Sequence, residues 1–218
     1  MKKKMVLMVS VLSLSMALSV PVLANSSVTV NDIEVSEKSD FQEVVDMILE
    51  LKSDNPDWTE EEIIVEMDDK IQAQRGIIDI WNSLTDSEKK LVVRYPFDAL
   101  KVNEAKNVAT SQTELKFGYN GLGDRSDAFR HGIWNGKMTI LIGADKAELF
   151  ATAHEDKDIT GVESDGYSKE EHKNMDLHNN AIGRQLGELY SDSTDDELAD
   201  IIYDAIYVEN SEFVWLHE

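Results

Sequence analysis

Three stretches of the chain place polar, chemically able side chains at helical spacing. Asp127 and His131 are four residues apart in DAFRHGIWN. His154 is followed by Glu155 and, four residues on, by Asp158. Asp176 and Asn180 are again four apart in MDLHNNAIGRQLG, with Asn179 beside Asn180. On a helix, residues i and i+4 lie on one face, so each pair presents together. Imidazole and carboxylate side by side suit zinc, and also iron or manganese. A metal with an open coordination position activates water, and a neighbouring carboxylate can take the proton. The metal set expected from these stretches is Asp127, His131, His154 and Asp176, holding one divalent ion, zinc first. The catalytic set is His131, His154 and Glu155. Arg130, Asn135, Asn179 and Asn180 complete the polar site. No His-Glu-x-x-His or other standard zinc spacing is present. The rival expectation is a buried hydrogen-bond network. There Asp–His pairs, an asparagine bridging two helices and Arg130 or Arg184 fix the packing without any ligand.

The elements that must position these groups are helices. Asn120-Gly121 and Gly123-Asp124 are turn chemistry that runs straight into a helical pattern, so a helix is expected over about 123–142. Asp124 or Ser126 can cap it. Asp127, His131, Trp134, Met138 and Leu141 share one face, and Phe129, Ile133 and Ile140 make a second. Only Arg130 and Lys137 remain as a polar stripe. A helix apolar on nearly all sides is a buried one, which makes this the centre of the fold. Gly183 and Gly187 continue the face of Asp176 and Asn180. Glycine inside a helix costs about 1 kcal/mol relative to alanine. Two on one face therefore imply close approach of another backbone, with the central helix the obvious partner.

Further helices are expected from Phe41 to Asn55-Pro56, after the Thr59-x-x-Glu62 capping box, and around Ile77 to Leu84. Others are expected after the Thr85-x-x-Glu88 box, over about 96–113, over about 144–156, over about 175–190, and after the Thr194-x-x-Glu197 box. Residues 157–170 read as a loop, with His172 and His217 facing solvent. The expectation is an all-α fold, a single-domain irregular bundle around the central helix.

GDRSDAFRHGIWNGKM, ATAHE and MDLHNNAIGRQLG together resemble an uncharacterised domain family of exported bacterial proteins. Its motifs run GDAFRHxxWN, AHE and MDLxNNxxGR, and the resemblance covers roughly residues 84–189. It implies that Asp127, His131, His154, Glu155, Asp176 and Asn179 or Asn180 belong to one site, and it brings no activity. Arg125-Ser126 stand as an insertion before Asp127, relative to that pattern.

Residues 1–24 have the order of a secretory signal peptide: Lys2, Lys3 and Lys4, an apolar run, then Val22-Leu23-Ala24. An extended arm is expected over 25–39, with a short strand near 28–35, and the helical domain over 40–218. Cleavage after Ala24 removes three lysines and no acid, taking the charge from −22 to −25. So acidic a chain is a poor candidate for nucleic acid or anionic lipid. Without cysteine, export brings no disulfides. The functional expectation is a secreted or envelope-associated metal-dependent hydrolase with no stable membrane insertion after cleavage. Its alternative is a non-enzymatic envelope or interaction protein.

Overall fold

The computed structural model describes residues 39–71 and 75–218. The segments expected to be the signal peptide, the arm and its strand lie outside the described residues, apart from Ser39. Among those residues the chain forms α1 (Asp40–Asp54), α2 (Glu60–Lys70), α3 (Arg75–Ser83), α4 (Asp86–Arg94) and α5 (Pro96–Phe117). Then come α6 (Arg125–Ile142), α7 (Ala144–His154), α8 (Lys169–Leu189) and α9 (Asp195–Tyr207). One isolated bridge, Val162 to Ser168, is the extent of β pairing there. The fold is all-α. No described helix is long and apolar enough to cross a membrane.

The boundaries follow from local chemistry. Thr59, Thr85 and Thr194 each accept from the backbone of the glutamate three residues on, and that glutamate returns the bond. A fourth box, Ser168 with Glu171, starts α8 six residues before the expected start at Met175. The first turn of α8, KEEHKN, has no apolar residue, so periodicity alone could not detect it. Helix α5 likewise runs a turn past Thr113, to Phe117. That ring meets Phe129 at 5.3 Å and Tyr203 at 5.5 Å before Gly118 closes the helix at φ 81°.

Helix α6 is the centre. Asp124 caps it, accepting from the N–H groups of Ser126 and Asp127. From Ser126 to Thr139 every side chain is buried except the half-buried Arg130 and Lys137, the two positions of the expected polar stripe. Helices α5, α7, α8 and α9 surround it. The seam with α8 is backbone on backbone. A Cβ on Gly183 would lie 2.4 Å from the Gly132 carbonyl oxygen, and one on Gly187 would lie 2.4 Å from that of Gly136. The two glycines of α8 thus allow the approach that their common face predicts. On another side of α6, Gly132 leaves room for the ring of Phe213, which returns with the C-terminal tail.

Candidate metal centre

The close α6–α8 seam sets three potential ligands facing one another. His131 Nε2 lies 3.6 Å from Asp127 Oδ1 and 3.3 Å from Asp176 Oδ1. All three ligand atoms lie within 4.8 Å of one another. Donors about 2.0–2.2 Å from a tetrahedral zinc are roughly 3.3–3.6 Å apart, so the spacing suits one ion with room for water. Asp127, His131 and Asp176 could hold a metal ion.

A chain of amides sets the orientation of His131. Arg184 has only donors, so the Asn135 atom 3.2 Å from its Nη1 must be Oδ1. The Asn135 amide nitrogen then donates to Asn180 Oδ1 at 2.6 Å and to the His131 carbonyl at 3.2 Å. Asn180 Oδ1 is thereby fixed as an acceptor, and His131 Nδ1–H donates to it at 3.0 Å. The Nε2 lone pair is left facing the two carboxylates. A metal-ligating histidine is commonly held in one tautomer in this way, by a bond to its other nitrogen. Asp127 is fixed from both sides. The Gly123 N–H donates to its Oδ2 at 2.7 Å, and Arg130 donates to its Oδ1.

Burial dominates the electrostatics. It drives the imidazole of His131 well below its ordinary pKa, and the Arg130 charge adds to this. Burial pushes Asp176 up to about 8, with the carboxylates of Asp127 and Glu155 contributing. Asp127 and Glu155 are also raised, again by burial first. The site without a cation therefore keeps His131 neutral and a proton on Asp176 at neutral pH.

His154 does not join the ligands. It lies across Trp134 from His131, with ring centroids 5.1 Å and 6.3 Å from that indole. Its Nδ1 bonds Glu88 Oε1 at 2.8 Å and its Nε2 meets Lys157 Nζ at 3.0 Å. Burial acts to raise the Glu88 pKa, but the bond to His154 and its charge outweigh this and hold it low. The metal set from sequence thus contracts to three. Sequence spacing brought His154 to the inner face of α7 but could not show that a capping-box glutamate of α4 would take its ring nitrogen. Asn179 also leaves the site. It clamps the tail, donating to the Val214 carbonyl at 2.8 Å and accepting from the Val214 N–H at 3.0 Å. Arg130, Asn135 and Asn180 stand at the centre as described.

The triad opens into a polar chamber of about 310 Å³, lined also by Glu155, His172 and the cations Arg130, Lys157, Lys169 and Lys173. His172 is buried rather than solvent-facing, with Nε2 3.0 Å from Asp165 Oδ2. His217 is also held, with Nε2 3.0 Å from the Leu122 carbonyl oxygen. The fourth capping box would have disclosed His172, since it puts His172, Asp176 and Asn180 at successive fourfold spacings on one helix face. Two buried atoms on residues lining this chamber, Glu155 Oε1 and His172 Nδ1, lack a hydrogen-bond partner, and Asp176 Oδ1 has only His131 Nε2 beside it.

Among known families, the model described as Domain of unknown function (DUF6973) matches residues 89–210. No curated protein and no solved structure matches the chain. The matched span contains Asp127, His131 and Asp176 and the whole of α5 to α9, and the chain belongs to this family of unknown function.

Proposed function

We propose that the protein is an exported metal-dependent hydrolase that binds one divalent cation, zinc first, through Asp127, His131 and Asp176. The observation that carries this reading is the set of orphaned atoms around the triad. Buried polar groups are nearly always paired, and a network built only for packing would pair them. Here Glu155 Oε1 and His172 Nδ1, two metal- or proton-binding atoms, share the triad's chamber without hydrogen-bond partners, and Asp176 Oδ1 meets only the ring nitrogen of His131 at 3.3 Å. A bound cation gives Asp176 its partner. Bound there, it would supply the chemistry of a lowered water pKa, giving a nucleophile for an ester or phosphodiester. Glu155, its pKa raised by burial, accepts the water proton. His154 acts through Glu88 and Trp134 as part of the wall. The substrate lies in the envelope or outside the cell, given the signal-like residues 1–24.

The test is calorimetric titration of the chelator-stripped protein with Zn²⁺, Mn²⁺, Mg²⁺ and Ca²⁺. One equivalent of zinc should bind and raise the melting temperature, and His131→Ala should lose at least tenfold in affinity. A wild type that binds none of the four at millimolar concentration would return the cluster to the packing reading.

A further inference from the structure

Arg130, His131 and His154 line the polar chamber on one side and a second cavity of about 260 Å³ on the other. The second cavity has the opposite character. Its wall is mostly apolar, with Ile80, Leu84, Val92, Val102, Trp134 and Phe150; of its other polar lining residues Ser83, Lys106 and Thr110 are exposed at the rim, Asn103 is half-buried, and Glu88 is held by His154. Each space alone is at or below the small end of ordinary small-molecule sites, which run from about 300 to 1,000 Å³. Side by side, with the same three side chains between them, they fit one ligand with two unlike ends.

We infer that the site takes an amphiphile, an alkyl phosphate ester whose anionic head enters the polar chamber and whose chain fills the apolar groove. Charge argues for the head. The chamber sets four cations, Arg130, Lys157, Lys169 and Lys173, against five carboxylates, Asp127, Glu155, Asp158, Glu163 and Asp176, so with a divalent ion bound its charge turns net positive and favours an anionic head. A cation at Asp127, His131 and Asp176 adds to their field, and phosphate oxygens suit both lysines and a divalent metal. Continuity argues for the chain: the groove begins at His131 itself, so an alkyl group leaving the head has an apolar wall to follow. Trp134 supplies the joint. Its indole N–H is buried without a partner on a residue lining the groove, a free donor for an ester oxygen. The inference names the substrate class of the proposed hydrolase and rests on that reading for the reaction. In it, Asp127, His131 and Asp176 would hold the ion that activates a water, Glu155 would take that water's proton as its oxygen adds at phosphorus, and the alcohol oxygen would leave with the electron pair of the broken P–O bond and receive the proton from Glu155.

The test is binding, measured by calorimetry on the zinc-loaded protein with decyl phosphate kept below its micelle concentration. Decyl phosphate should bind one per chain, at least tenfold tighter than inorganic phosphate and than decyltrimethylammonium. Val102→Trp, which fills the groove, should lose tenfold for decyl phosphate while its zinc titration stays unchanged. The double variant Lys157→Glu, Lys173→Glu, altered only near the mouth of the chamber, should lose a similar factor. Equal affinity for both head groups, absence of decyl phosphate binding by a protein that binds zinc, or undiminished binding in the charge-reversed variant would each overturn the inference. Loss of zinc binding alone, with decyl phosphate still held in the groove, would instead overturn the metal reading.

Discussion

Asp176 is where pH should act most strongly on the cation-free protein. Its folded pKa, about 8, lies far above its ordinary 3.8. The folded state therefore binds more protons than the unfolded chain between about pH 4 and pH 8, and stability falls as pH rises through that window. At about 1.4 kcal/mol per unit, the penalty at pH 7 is on the order of 4 kcal/mol. Asp176→Asn removes the titration and can donate to the bare Nε2 of His131. The melting temperature of the stripped wild type should fall from pH 5 to pH 8, while that of Asp176→Asn stays nearly level and exceeds the wild type at pH 8. A variant less stable than wild type at pH 8 would show that the Asp176 carboxylate is structural. Sequence spacing disclosed Asp127, His131, Asp176 and Asn180 because helical geometry ties i to i+4. It misplaced His154 because the competing partner, Glu88, is 66 residues away, and it missed His172 because the turn that carries it is wholly polar.

At the scale of elements, the centre depends on how closely α8 lies on α6. Gly187→Ala adds a Cβ that would meet backbone on α6, not a flexible side chain, so the helices must part. Such overpacking costs typically 1–3 kcal/mol. It should also weaken zinc binding, because one ligand rides on α8 and two on α6. Gly118→Ala is the control: it strains a positive φ but meets nothing within 4 Å, so it should lower stability and leave zinc affinity alone. Equal zinc affinity in Gly187→Ala and wild type, by titration, would separate the seam from the site. The starts of α2, α4, α5 and α9 were legible because a capping box or a proline marks each. The fourth box was hidden by the glycine-, serine- and aspartate-rich residues leading into it.

For the whole molecule, the question is where it works. The apolar run behind three lysines predicts removal of residues 1–24 on export. Amino-terminal sequencing of protein recovered outside the cytoplasm should begin at Asn25, and an intact Met1 there would refute this. If residues 1–24 are removed, the remaining chain carries −25 net charge and no cysteine, and its stability rests on its core and, in this proposal, on the cation. A ligand that binds only the folded state stabilises it by mass action, so zinc in excess should raise the melting temperature with concentration. The all-α class and central helix were legible because burial on every side of α6 is written in its composition. The paired cavities were not, since their walls come from α1 and α3 to α8, side chains that only the tertiary fold assembles.

The tail has a practical consequence. Leu216 N–H donates to the Gly123 carbonyl at 2.7 Å, and the N–H of that same glycine holds Asp127 Oδ2. Val214 is clamped by Asn179, one residue from Asn180. Residues 214–216 thus act as a splint for the turn that aims Asp127. An affinity handle fused directly after Glu218 would pull on that splint, and a purified product with weak zinc affinity could report the handle instead of the site. Expression vectors for this family member should carry the handle ahead of α1.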